Sequence, residues 1–173
     1  MPTGRPAETE YAPFYAKYIG LVPEADVLAA LEGQIEEFRR LAKSVPPERE
    51  VYRYGPDKWS VREVIGHLTD GERVFGYRAF CISRGEQQAL PSFDENVYVA
   101  QSAYDRVPLA DLNDELVMVR RANLAVLRRL DPGAWTRMGT ASGKPVSVRA
   151  LAHVMVGHPR HHLAILRERY GLA

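Results

Sequence analysis

Five histidines occur in this chain. Four of them, His153, His158, His161 and His162, fall within ten residues near its C-terminal end, and the fifth, His67, stands far upstream. At about 100° of turn per residue, His158 and His162 lie about 40° apart around a helix and present two imidazoles on one side. They continue the apolar positions Leu151 and Met155, so they face inward. His67 occupies a second inward stripe, between Val64 and Phe75. Three inward imidazoles strain a core, because each unpaired buried polar ring costs about 1–3 kcal/mol. A divalent ion resolves this: neutral imidazole is a good ligand for Zn, Ni, Fe or Cu, and an i,i+4 pair aims two nitrogens at one point. Three protein ligands leave coordination positions open, the arrangement of a catalytic site. His67, His158 and His162 are therefore the candidate metal ligands.

The remaining chemically capable residues divide less sharply. His161 sits about 100° from His162 and reads as a flank residue; His153, about 180° away, reads as a surface or interface residue. Asp70, one turn after His67, is the carboxylate placed to orient a metal-bound ring, hold a bound water or act as a catalytic base. Its competing reading is a solvated charge or an ion pair with Arg73. Glu72 lies further round the same helix. Arg62, Arg73 and Arg78 read as solvated charges by default, with the carboxylate of a substrate as the alternative partner. Cys81 reads as a packing residue. Trp59 and Trp135 read as plugs over the ends of a core, and Tyr52, Tyr54, Tyr98 and Tyr104 fall in connections within reach of a pocket mouth.

Four helices must position these groups. Val27, Leu28, Leu31, Ile35, Phe38 and Ala42 recur at helical spacing, and Pro46-Pro47 closes that segment. Ser60-Val61-Arg62-Glu63 is a capping-box pattern that opens a second helix, running through Val64, Ile65, Leu68 and Phe75 toward Ser83 and stopped by Gly85. Residues 86–107 lack a period and form a long connection. Leu109 to Leu130 carry a third apolar stripe, closed by Asp131-Pro132-Gly133. A turn-rich stretch around Thr140-Ala141-Ser142-Gly143 suits a short hairpin, and Ser147 caps a fourth helix that ends near Tyr170-Gly171. Pro159 falls inside that helix, removes its bond to Met155 and predicts a kink beside His158. Residues 1–22, rich in Pro, Tyr and Gly, read as an extended arm over the surface. The expectation is an all-α four-helix bundle over residues 24–170, with a long crossover between helices 2 and 3, in one domain spanning 1–173.

Composition narrows the partners. The chain has 173 residues, with 23 Lys and Arg against 22 Asp and Glu for a formal net charge of +1. That balance gives no electrostatic footprint for nucleic acid or an anionic membrane. No apolar run approaches the roughly 20 residues of a membrane span. Cys81, the single cysteine, excludes an intramolecular disulfide, and the N-terminus lacks the apolar core of an export signal, so a cytoplasmic location is expected.

The stretches Trp59-Ser60-Val61-Arg62-Glu63-Val64-Ile65-Gly66-His67-Leu68-Thr69-Asp70 and Gly157-His158-Pro159-Arg160-His161-His162-Leu163 resemble the DinB/YfiT-like superfamily of metalloenzymes, with helix order agreeing over about residues 24–170. The resemblance implies a four-helix bundle with a long crossover, a divalent metal on His67, His158 and His162, and a homodimer. Similar proteins include thiol S-transferases that use low-molecular-weight thiols, a thiol-dependent isomerase and metal-dependent hydrolases. The implied activity is thus thiol transfer or hydrolysis on a small-molecule substrate, with a non-catalytic metal- or ligand-binding stress-response module as the alternative. Pro159 is the local departure, either aiming His158 at the metal or spoiling the site.

Overall fold

The structure is a computed structural model and describes residues 3–172; the ends of the expected arm and of the chain (Met1, Pro2 and Ala173) lie outside the described residues. Seven α-helices follow in order: α1 (Ala16–Ile19), α2 (Val27–Ser44), α3 (Val61–Ser83), α4 (Glu95–Gln101), α5 (Leu109–Leu127), α6 (Pro132–Trp135) and α7 (Val148–Tyr170). A two-stranded antiparallel hairpin, β1 (Met138–Ala141) and β2 (Lys144–Ser147), precedes α7.

The long helices begin and end where their side chains dictate. Asp26 accepts the amides of Leu28 and Ala29 to start α2. Ser60 accepts the Glu63 amide while the Glu63 carboxylate takes the Ser60 amide, completing the capping box of α3. Ser147 accepts the Ala150 amide to start α7, and Gly171, at φ 64°, closes it in the left-handed conformation that glycine adopts without steric penalty. The hairpin turns on Ser142 and Gly143, both with positive φ, as the primed hairpin turns require.

The four long helices form the bundle. α3 packs against α5 and α7, and α2 packs against the same two helices. The consecutive helices α2 and α3 therefore face each other across the diagonal, which is what a long first connection permits. The crossover from α3 to α5 carries α4 and ties its beginning to the hairpin, with the Leu90 amide donating to the Thr140 carbonyl and the Ser142 amide to that of Leu90.

Two expectations need correction. The N-terminal segment is not merely extended: it makes short 3-10 turns at Glu8–Glu10 and Pro13–Tyr15 before α1, and Ala12, Tyr15, Ile19 and Val22 are buried. It covers one stripe of α7. Arg149 pairs with Glu10, the Tyr18 carbonyl lies where a side chain on Gly157 would stand, and Arg160 bonds Glu24 and the Leu21 carbonyl. His153 belongs to the same stripe at helical spacing. It is therefore fully buried, not a surface residue, with Nδ1 facing the Arg149 carbonyl at 2.8 Å.

Pro159 lies inside α7, which is helical on both sides of it. The reason is a repair from outside the helix. The Met155 carbonyl, deprived of its partner by the proline ring, accepts from the Arg120 guanidinium at 2.8 Å, and the next carbonyl, Val156, accepts from the Gln34 amide at 2.9 Å. Arg120 is fully buried and also grips Glu72 through two bonds, at 2.8 and 2.9 Å, along with the Gln34 side chain and the Leu31 carbonyl. Asn123 completes the shell of Glu72. One polar knot at mid-bundle thus joins α2, α3, α5 and α7.

Candidate metal centre

One turn beyond the repaired segment, α7 projects His158 and His162 toward His67 on α3. One ring nitrogen of each lies within 4.8 Å of the others, and the three ring centroids form a near-equilateral triangle of 4.7–4.8 Å. His67 Nε2 and His158 Nε2 are 2.9 Å apart, so one ring donates to the other.

The close approach depends on small residues and aromatic walls. A side chain at Gly71 would begin 2.8 Å from the His158 ring, so glycine on α3 makes the space that ring fills. Trp59 tilts over His67 at 4.7 Å between centroids, Tyr18 meets His158 edge-on at 5.4 Å, and Phe75 meets it at 5.5 Å. These rings enclose the floor of a cleft of about 290 Å³.

Electrostatics keep the imidazoles neutral. Burial lowers His67 to about 4. Burial, reinforced by His67 and His161, lowers His162 to about 2. The same causes, with His162 and His67 as the nearest imidazoles, hold His158 well below its ordinary range. Neutral imidazole is the ligating form, so the cluster needs no deprotonation at pH 7.

The donor set fits a divalent ion. Nitrogens held at about 2.1 Å from one ion lie roughly 3.0–3.4 Å apart. The His67–His158 pair is already that close, and modest side-chain rotation brings in His162.

The other sequence candidates fall around this triangle or away from it. Asp70 does not line the cleft. Burial raises its carboxyl, an effect that the neighbouring Tyr104 hydroxyl opposes, and the Tyr104 ring packs on Gly66. Glu72 belongs to the Arg120 knot. His161 flanks the site, edge-on to His162 and Tyr18. Arg62 pairs with Glu50 and Arg73 with Glu115, whereas Arg78 is 2% exposed and lines the cleft. Trp135 is a core plug; Trp59 instead forms a wall of the site. Tyr52 and Tyr54 pack on Tyr170, and Tyr98 on Phe93. Cys81 packs at the edge of the core.

Sequence reasoning missed the part of the cleft built by other segments. Phe14, Tyr15, Lys17 and Tyr18 come from the arm, Phe93 and Glu95 from the crossover, and Ser142 from the hairpin turn. A usable signal was present in the arm, where Tyr15, Tyr18 and Ile19 fall at three- and four-residue steps.

Comparisons with known proteins agree with this architecture. No curated protein matches the chain significantly. Among solved structures, YfiT from Bacillus subtilis, described as a probable metal-dependent hydrolase with an unusual four-helix bundle topology, superposes with a TM-score of 0.76 at 19% identity, over 97% of this chain and 94% of its own. The mycothiol-dependent maleylpyruvate isomerase superposes with a TM-score of 0.58 at 16% identity, over 79% of this chain. This chain spans only 59% of that protein's length. At such identities the likeness is one of fold. The family itself follows from sequence: the model of the DinB superfamily matches residues 30–166, and the chain belongs to that superfamily.

Proposed function

We propose that the protein is a divalent-metal-dependent enzyme acting on a small molecule in the histidine cleft, with His67, His158 and His162 as the metal ligands. One observation carries the reading: three neutral imidazoles from two helices converge within 4.8 Å at the floor of a cleft. When bound, a divalent ion at such a site lowers the pKa of a water or thiol and polarises a carbonyl. The chain supplies the rest. Trp59, Tyr18 and Phe75 limit water around the imidazoles, Gly71 leaves room for His158, and the Arg120–Gln34 repair keeps α7 helical up to His158.

Hydrolysis and transfer to a low-molecular-weight thiol both fit three ligands with open positions; the likeness to YfiT supports the first and that to the mycothiol-dependent isomerase the second. Zn, Ni and Fe all suit the donor set. Asp70 stands outside the cleft lining, so the reading rests on the histidines. Exposed Tyr77 and Phe80 on α3 support the homodimer that the resemblance implies, which light scattering would measure. Among the described residues no helix is long and apolar enough to cross a membrane.

The test is metal content by mass spectrometry after reconstitution with Zn, Ni, Mn and Fe, for the natural chain and for His67→Ala and His162→Ala. About one ion per chain, lost in both variants, is expected. An empty natural chain under all four conditions would overturn the proposal. Ester hydrolysis and thiol consumption by the loaded protein then separate the two chemistries.

A further inference from the structure

Arg78 presents an anomaly. Its residue is 2% exposed, yet among the described residues no carboxylate pairs with it. Its guanidinium is instead held by three neutral acceptors: the Tyr15 hydroxyl at 3.2 Å, the Pro91 carbonyl at 2.6 Å and the Ser142 hydroxyl at 2.9 Å. Buried charges are normally paired, because neutral acceptors return only part of the lost solvation. The three contacts come from the arm, the crossover and the hairpin, so Arg78 gathers the segments that complete the cleft. They engage only part of a donor fork built for bidentate binding of a planar anion.

Its position gives that unused capacity a purpose. Arg78 lines the histidine cleft and also an adjoining groove of similar size, sharing Phe93 with both. Phe93 lies over the guanidinium at 5.8 Å. His67 and Arg78 stand eleven residues apart on α3, about 16 Å along its axis, with Phe75 between them. Around the cleft, Lys17 adds a second cation and Glu95, exposed at the rim, is the single carboxylate among the lining residues.

We propose that Arg78 binds the carboxylate of the substrate, which is an organic acid whose anionic end is held away from the group that reacts near the histidines. Phe75 and Phe93 face the apolar portion between the two ends. Energy from a remote charged group is well suited to orienting a substrate. This inference rests on the reading of the cleft as a substrate site, but its test does not need the metal.

The probe is benzoate, a minimal aromatic acid, with benzamide as its neutral counterpart. Both are titrated by NMR into chelator-treated protein, so that no carboxylate–metal contact contributes. We expect benzoate to bind at least tenfold more tightly than benzamide, with the Arg78 Nε–H resonance among those that move. Arg78→Met should erase that preference, so that the two probes bind alike, and Arg78→Lys should weaken benzoate several-fold because the fork is lost. Glu95→Gln, an exposed substitution, should strengthen benzoate. Equal binding of the two probes by the natural chain would overturn the inference, as would a preference that survives Arg78→Met. If Arg78→Met does not fold, the natural chain and Arg78→Lys decide, and undiminished benzoate affinity in Arg78→Lys would overturn it. Metal content, measured separately, shows whether the histidine site stands or falls on its own.

Discussion

Two fully buried arginines, Arg78 and Arg120, stand in the same bundle in opposite states. Arg120 spends its guanidinium on a bidentate carboxylate, an amide oxygen and two backbone carbonyls. Arg78 meets only neutral oxygens. The histidine triangle resembles Arg78 in this respect: its imidazoles meet one another and aromatic walls, with no carboxylate in the cluster. The difference separates two uses of buried polarity. A network whose groups satisfy one another ties helices together and has nothing left to offer. A cluster left incomplete can be completed from outside, and both Arg78 and the histidine triangle line one cleft, whereas the unpartnered Asn113 Oδ1 and His153 Nε2 lie outside it.

The sharpest way to break this comparison is to open the closed network. Arg120→Met leaves Glu72 buried without its partner and returns the Met155 carbonyl to its orphaned state beside Pro159. We expect a loss of about 3–5 kcal/mol in denaturant unfolding, with metal uptake weakened through His158. Adding Glu72→Leu should recover much of that loss, since it removes the stranded charge; no recovery would mean that the knot acts chiefly through α7.

Arg78→Met should lose less, about 1–2 kcal/mol by the same measurement, because it strands only neutral acceptors. Equal losses at the two positions would erase the distinction. At the histidines the contrast runs further. His162→Ala should abolish the bound ion while changing the stability of the metal-free protein by less than about 1 kcal/mol, because removing one imidazole relieves an unsatisfied cluster. Gly71→Ala crowds the His158 ring at 2.8 Å and should lower metal affinity at a stability loss of about 1 kcal/mol.

The smallest effect concerns the arm that carries Tyr15 and Tyr18 to the cleft. Burial alone would raise the Glu10 carboxyl, but hydrogen bonds from Arg149, the Ala7 amide and Ser147 outweigh it and hold it at about 2 against an ordinary 4.5. A depressed folded-state pKa means that this stabilisation is fully present above about pH 4.5 and is lost as pH falls toward 2. Glu10→Gln should therefore be less stable than the natural chain at pH 6, with the gap closing over that window in thermal melts.

Much of this was legible in the residues. Local rules acting within a few positions placed the capping box at Ser60, the Ser147 cap, the hairpin turn and the stops at Gly85 and Gly171. Helical periodicity brought His67, His158 and His162 to inward faces, because their spacing relative to Leu, Val and Met neighbours is itself the evidence. Where the same reasoning failed, the missing information was long-range. Helix geometry correctly put His153 on the far side of α7, but only the packed arm turned that side into an interior. The carbonyls beside Pro159 take their donors from Arg120 and Gln34 on other helices. Arg78 reads as a solvated charge by default, yet long-range packing buries it and makes it line the cleft.

By itself, then, the sequence determined the bundle, its caps and the three imidazoles that face inward, since each follows from spacing along one chain segment. The tertiary structure alone decided which buried charges are paired, what covers α7, and that arm, crossover and hairpin close over one cleft. Those outcomes depend on contacts between segments up to more than a hundred residues apart, such as Gln34 with Val156, whose partners no local pattern specifies.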